Sequence, residues 1–484
     1  MNTRLKHSLL KQTLIYGTSL AIMKGISLLM LPFIAQHIET REFGRLEIIS
    51  SLAILGSILV GFGLEETLYR FAGSEQDPKK QKPLVATLYT LSMLIGGLFF
   101  LLIWLISPVV SRSLPGAIST YEVQIVLAVL ALEGCIAIPL GWLRMQDKAM
   151  QFFCLTTGRA IVQAGLTLIL LTQNNHIRSV LEASLIAALL QAFVLSYLLI
   201  RQLGIGLKVP IFRSLLGYSL PIMLSGFVTF ALMGFDRWVL AQAVSIEHVG
   251  LYGVAFKFAL ASVLLLQPYS MWWSPKRFII LNGPDGLAKA AHYTQLGIGL
   301  VLIITLVVGL IAPGLITMLM PDNYHAASQY MLGLVIMMAL KESAELVNIG
   351  CYHTNTTHAQ LLINLVCAIL GILLMFVLVD VMSVWGIIMA LCIAQAGRVI
   401  LFYRVSQKIL PLPYRLKPLL LATLTCISLL GAGYVIPDAR MSVYTVAATT
   451  WLVSVCCLLK LFPMPLNHHI ATTKACLQRL PTQR

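Results

Sequence analysis

From Leu9 to Ile34 the chain carries two lysines and no acid among otherwise apolar or small polar residues. A helix rises about 1.5 Å per residue and needs about 20 apolar residues to cross hydrocarbon. This run therefore predicts a spanning helix, and it is too long for the apolar core of a cleavable signal peptide. The pattern recurs near 10–35, 46–69, 84–107, 120–142, 150–172, 179–200, 214–241, 248–272, 292–319, 326–350, 359–380, 383–405, 417–436 and 441–461. The expected fold is all-α: a polytopic membrane protein of about 14 transmembrane helices. Pro32, Pro139, Pro221, Pro268 and Pro313 fall within or near the ends of these runs and predict kinks.

Composition agrees. Only 11% of the residues are charged, against about 25% in soluble domains, and 58% are hydrophobic. The net charge of +15 would by itself suggest nucleic acid, but its distribution is that of a topology signal. When the spans are threaded back and forth, only Arg41, Arg45, Arg112, Arg178 and Arg440 fall in loops on one side, and the other loop and terminal cations gather opposite. Positive charge marks the cytoplasmic face, so both termini are expected in the cytoplasm. No nucleic-acid partner is expected. Trp104, Trp142, Trp238, Trp272, Trp273 and Trp385 lie near span ends, as an interfacial belt would place them.

The catalytic signatures are missing. There is no G-x-x-x-x-G-K-[ST], no H-E-x-x-H, no G-x-S-x-G and no acidic metal motif. The nine cysteines lie mostly inside apolar runs, where they read as small buried hydrophobes. His468, His469 and Cys476 in the tail match no standard metal spacing. An enzyme is not expected, nor a cofactor, beyond proton or sodium ions as coupling partners.

The stretches AQHIETREFGRLEII (35–49) and AQAVSIEHVGLYGVA (241–255) align at an offset of 206 residues, which also carries Arg70 onto Lys276. Spans 1–6 and 7–12 then read as two copies of one unit. An even number of spans per copy makes the repeat parallel, with a pseudo-twofold axis along the membrane normal, as in transporters. The expected organisation is an N-terminal six-helix lobe (1–205), a C-terminal six-helix lobe (206–410), and helices 13 and 14 with a basic tail (411–484). The competing reading is that two hairpins share a turn chemistry.

Charges inside the spans are the candidate functional groups. Lys24, Arg159, Arg237, Lys257 and Lys341 lie deep, and Arg398 is near enough to a span end to snorkel. Each buried cation costs about 2.5–3.5 kcal/mol on an insertion scale. They must pair or line a wet cavity. Glu133, Asp236 and Glu345 are the candidates for pairing or ion coupling, with Glu342 as a further acid. Glu133 shares a depth with Arg159, and Lys341 and Glu345 share a helix face. Asp236 and Arg237 point about 100° apart on a regular helix, so each needs another partner. One consistent arrangement pairs Asp236 with Lys257 and turns Arg237 to the lumen; the alternative is that all three only staple the core. Cations outnumber acids, which fits a cavity for phosphate.

YGTSLAIMKGISLLMLPFIAQHIETREFGRLEII and FDRWVLAQAVSIEHVGLYGVAFKF resemble the first and the span 7–8 hairpins of the polysaccharide transporter family. That family includes the Wzx-like O-antigen flippases and belongs to the multidrug/oligosaccharidyl-lipid/polysaccharide superfamily. The resemblance covers nearly the whole chain. It implies two six-helix lobes around a cationic cavity in the bacterial cytoplasmic (inner) membrane. It also implies an undecaprenyl-pyrophosphate-linked oligosaccharide moved to the periplasmic leaflet. Lys24, Arg237 and Lys257 match positions where relatives carry cavity charge. Bilayer lipids, a polysaccharide polymerase and a chain-length regulator are the implied partners. The alternatives are an ion-coupled multidrug exporter of the same superfamily and, less favoured, a membrane enzyme of polysaccharide assembly.

Overall fold

The computed structural model describes residues 3–74, 77–207, 219–220, 223–228, 230–353, 358–433 and 438–461. Pro221, Lys208, Arg213 and the tail residues His468, His469 and Cys476 lie outside that set. Every regular element in it is helical. The first eight are α1 (Thr3–His37), α2 (Thr40–Gly61), α3 (Leu64–Ser74), α4 (Pro78–Ser113), α5 (Thr120–Ala131), α6 (Glu133–Met145), α7 (Ala149–Gln173) and α8 (Ile177–Leu203). Then come α9 (Met223–Met233, position 229 apart), α10 (Asp236–Ala243), α11 (Ile246–Leu281), α12 (Gly286–Leu319) and a 3-10 turn at Asp322–Tyr330. The remainder are α13 (Met331–Val347), α14 (Ile349–His353), α15 (His358–Met382), α16 (Val384–Ile409), α17 (Leu416–Gly433) and α18 (Asp438–Leu458).

Twelve stretches among the described residues are long and apolar enough to cross a membrane, and α9 with α10 makes a thirteenth if counted as one span bent by 41°. The chain is a multi-pass membrane protein. Fourteen spans were expected, and the shortfall is at 326–350. There the polypeptide forms the 3-10 turn, the 17-residue α13 and, after a break at Asn348, the short α14. Lys341, Glu342 and Glu345 crowd the end of α13, where charged side chains and their partners compete with a continuous helix.

The breaks share a device. α2 gives way to α3 through Phe62 and Gly63, both at positive φ (48° and 62°). α5 gives way to α6 at Leu132, and α9 to α10 at Gly234–Phe235. In each case acids occupy the first turn of the new helix: Glu65 and Glu66 in α3, Glu133 in α6, Asp236 in α10. The positive end of a helix dipole favours a carboxylate there, which is one way an apolar span tolerates an acid.

Contacts divide the chain into two units. The first comprises residues 1–258, 315–334 and 361–397. In it α1 packs on α7, with Ser19 and Thr156 sharing a hydroxyl hydrogen bond of 2.7 Å. α4 packs on α5 and α6, so closely that a Cβ on Gly96 would overlap the Ala131 carbonyl. Tyr324 donates to the Ile38 carbonyl at 2.8 Å, closing the end of α1. Burial, with Glu39 nearby, pushes its phenol above the ordinary tyrosine range, so this donor stays protonated.

The 206-residue offset reappears in the packing of this unit. A Cβ added to Gly44 would overlap the Ile246 carbonyl oxygen, and one added to Gly250 would overlap the Thr40 carbonyl oxygen. Both 44/250 and 40/246 are separated by 206 residues. α2 and α11 therefore cross reciprocally at their N-termini, each glycine admitting the other helix's backbone. The equivalent residues Arg41 and Glu247 pair across the same crossing at 3.7 Å.

The second unit comprises residues 259–314, 335–360 and 398–484. Its core gathers Leu266, Trp273, Leu281, Leu346, Ile349 and Leu412. The Ser406 hydroxyl accepts from the Gly350 amide at 2.7 Å. α17 and α18 pair with each other, Tyr444 donating to the Leu429 carbonyl at 2.6 Å. A Cβ on Gly433 would overlap Leu310 of α12. Trp273 is 2% exposed and Trp142, in the first unit, 4%. Those two belong to packed cores rather than to an interfacial belt, whereas Trp104 is 68% exposed as a belt residue would be.

Candidate functional site

The first unit contains a cavity of about 690 Å³ between α1, α2, α5, α6, α7, α8 and α11. Ligand sites run from about 300 to 1,000 Å³, so the space is of ligand-binding size. Much of the wall is aliphatic, with hydroxyls and amides from Ser27, Ser50, Thr156, Gln163, Thr167, Ser184 and Gln191. Its charged residues are Lys24, Arg144, Arg159 and Lys257. No carboxylate is among the described lining residues.

The four cations differ in how far they are compensated. Arg144 contacts Glu65 at 3.1 Å, donates to Tyr69 at 2.9 Å and lies over the Phe152 ring. Lys257 pairs with Glu47 and lies over the Phe43 ring at 4.6 Å. Arg159 donates to the Gln191 amide oxygen at 3.0 Å, and that amide in turn donates to the Leu155 carbonyl. Among the described residues neither Lys24 nor Arg159 makes an ion pair. Glu133 is not within ion-pair distance of Arg159, although the two share a span-hairpin. The charge without an ion-pair partner among the described residues thus rests on Lys24 of α1 and Arg159 of α7, with Glu133 acting on Arg159 from beyond ion-pair distance.

Arg237 does not line this cavity. It is 4% exposed and shares the Glu47 carboxylate with Lys257. Its Nη1 donates to both oxygens of Asp236, at 2.8 and 3.0 Å, and to the Met233 carbonyl at 3.0 Å. Its Nε lies 3.7 Å from Glu47, and its guanidinium is 4.1 Å above the Phe256 ring. Tyr252 also donates to Asp236. The expected pairing of Asp236 with Lys257 is therefore replaced by two linked pairs, Asp236–Arg237 and Glu47–Lys257, with Arg237 touching both acids. The regular-helix argument fails because α10 begins at Asp236, so the guanidinium can fold back over the break.

Glu47 is the residue that sequence reasoning missed. It falls at the start of a predicted span, where it looked solvated, yet its side chain is 5% exposed. The repeat held the signal. At an offset of 206 Glu47 corresponds to Gly253, and a Cβ on Gly253 would overlap the Glu47 side chain. A glycine in one copy makes room for the acid of the other.

Lys341 belongs to the second unit. It contacts Glu342 at 3.0 Å rather than Glu345, which instead accepts from Arg398 at 2.8 Å and from the Asn348 amide at 2.9 Å. Arg277 donates to the Asn348 oxygen at 3.3 Å and stacks over Tyr352. Arg398 was expected to snorkel. It is 7% exposed and ion-paired instead, because a planar guanidinium takes a carboxylate better than an ammonium one turn away. No group of three metal-ligating side chains occurs among the described residues.

Three comparisons bear on this geometry. No curated protein matches the chain. Among solved structures, a lipid II flippase, MurJ, in an inward closed conformation superposes with a TM-score of 0.74 at 11% identity, over 91% of this chain and 98% of that one. An inward-facing multidrug resistance MATE family transporter of the MOP superfamily gives 0.61 at 14% identity, over 81% and 94%. The MATE multidrug transporter DinF-BH gives 0.58 at 14%, over 83% and 95%. At such identities the likeness is one of fold, and the fold is that of this superfamily. The family model for "Polysaccharide biosynthesis protein" matches residues 9–275, more than half of the chain, and the protein belongs to that family.

Proposed function

We propose that this protein is a flippase for an undecaprenyl-pyrophosphate-linked oligosaccharide, such as an O-antigen or exopolysaccharide repeat unit. It would work in the bacterial inner membrane with both termini cytoplasmic. The single observation that carries the reading is a wall holding four cations and no described carboxylate, two of those cations without an ion-pair partner. Lys24 and Arg159 hold the pyrophosphate, Arg as a fork and Lys as a point charge. Lys257 joins them when it leaves Glu47. The hydroxyl and amide groups of the wall accept the sugar, and the prenyl chain stays in lipid. The lobes 1–205 and 206–410 alternate exposure of the cavity, and the reciprocal crossing of α2 and α11 supports that division. Proton or sodium coupling is assigned to Asp236, Glu133 or Glu345, of which Asp236 is fully buried, Glu133 half-buried and Glu345 exposed. A multidrug exporter with cationic substrates is the second reading, supported by the fold likeness to MATE transporters, and the positive wall opposes it. The test is complementation of a flippase-deficient strain: Lys24→Ala abolishes polysaccharide export while protein level is kept. Full complementation by Lys24→Ala together with Arg159→Ala, or drug resistance conferred by the wild type without export, overturns the reading.

A further inference from the structure

A second cavity, of about 350 Å³, lies in the first unit and shares no lining residue with the cationic one. Its wall combines apolar side chains of α6 and α8, among them Leu143, Leu195 and Leu198, with Lys148, Gln151, Arg201 and Gln202. Lys148 stands at the position before α7, its side chain making no capping bond, and Arg201 sits in the last turn of α8. Two cations from different helices thus rim one small space with no described acid in its lining. Trp142 also lines it. The indole is 4% exposed, and its Nε1–H finds no acceptor among the described residues. An unsatisfied buried donor costs free energy in any apolar surrounding. Leu198 is 43% exposed and Tyr197, beside it on α8, 56%. The cavity therefore meets an outward apolar surface of the kind that faces acyl chains.

We propose that this cavity is a site for the phosphate headgroup of an anionic glycerophospholipid. Lys148 and Arg201 bind the phosphodiester, the Trp142 indole N–H donates to one of its oxygens, and the acyl chains lie along Leu198 and its neighbours on α8. Basic pockets between spanning helices recognise anionic headgroups in this way. The N-terminus of α7 adds its free amides at the same end. The volume holds a glycerophosphate headgroup and not a saccharide chain. The exposed leucine favours a lipid over free phosphate, which would gain nothing from an apolar margin. The site is independent of the transported substrate and of the flippase reading.

The test uses the full-length protein in nanodiscs of phosphatidylcholine, doped with phosphatidylglycerol, with bound lipid counted by native mass spectrometry. The wild type retains phosphatidylglycerol in preference to phosphatidylcholine. Lys148→Gln with Arg201→Gln lowers that affinity about tenfold or more, as loss of charge-assisted hydrogen bonds does. Trp142→Phe, which keeps the ring, lowers it several-fold, and Lys148→Arg with Arg201→Lys keeps it. Lys289→Gln, outside the lining, leaves it unchanged. Equal retention of the two lipids by the wild type overturns the proposal, as does full retention by the double Gln variant. Displacement of the lipid by millimolar inorganic phosphate makes this a free-anion site and overturns the lipid assignment. Should the double Gln variant fail to fold, the Trp142→Phe and charge-keeping variants decide the outcome.

Discussion

Removing the two acids of the buried cluster separately should have unequal consequences. Asp236 is fully buried and gives Arg237 its two shortest contacts to an acid, 2.8 and 3.0 Å, besides accepting from Tyr252. Asp236→Asn leaves the guanidinium, 4% exposed, with Glu47 at 3.7 Å as its remaining acid. Breaking a buried pair in this way costs about 3–5 kcal/mol, because an uncompensated charge stays behind. Glu47→Gln is different. At 3.7 Å and an effective dielectric constant of about 20, the Arg237–Glu47 attraction is roughly 4–5 kcal/mol before desolvation. Arg237 keeps Asp236, however, and Lys257, whose side chain is 34% exposed, swings into the cavity. The net loss should be about 1–2 kcal/mol, offset by the desolvation that Glu47 no longer suffers. The assay is thermal unfolding of both variants in nanodiscs, with a Glu47/Lys257 double-mutant cycle to isolate the pair. Equal destabilisation, or a milder effect of Asp236→Asn, refutes the assignment of Asp236 as the primary counter-ion.

Gly250→Ala places a methyl group against the Thr40 carbonyl, where only backbone can yield, and should destabilise by about 1–3 kcal/mol as overpacking does. Gly97→Ala, with nothing within 4 Å of the added Cβ, serves as the neutral control in the same melt. Gly253→Ala meets the flexible Glu47 side chain instead and pushes it off its ion pairs, so it should lower the melting midpoint about as much as Glu47→Gln does. Glu122, 2% exposed, accepts from Arg45 at 2.7 Å, from the Ser119 amide at 2.8 Å and faces Arg178 at 3.6 Å. Glu122→Gln keeps the capping bond and loses the ion pairs, and a shift in melting midpoint that high salt does not mimic checks it.

Much of the scaffold could be read from the apolar runs, because each crossing of hydrocarbon demands a long charge-poor helix. The failures trace to helix ends. Span 326–350 was expected whole, but its polar cluster interrupts it at Asn348. Regular-helix geometry turns Arg237 to the lumen, and that geometry does not hold where α10 starts. Lys341 and Glu345 are four residues apart, yet Glu345 turns to Arg398, a partner distant in sequence and stronger in geometry. Glu47 escaped notice because a carboxylate at the margin of a run looks wet until the opposing glycine is recognised. Lys24 is legible as a deep cation with no acid in its own span, whereas Arg159 shares a depth with Glu133 and yet stands outside ion-pair distance of it, because depth along a span does not fix which face of the helix a side chain takes.

The central claim is that Lys24 on α1 and Arg159 on α7, the wall cations without an ion-pair partner among the described residues, hold a diphosphate. The most direct measurement is the affinity of the purified protein for an undecaprenyl-pyrophosphate-linked sugar, wild type against Lys24→Gln with Arg159→Gln, with Lys24→Arg as the charge-keeping variant. Each lost charge-assisted contact is worth about 1.5–3 kcal/mol, so the double variant should bind at least a hundredfold more weakly. Lys24→Arg should stay within a few-fold of the wild type. Unchanged affinity in the folded double variant would contradict the account.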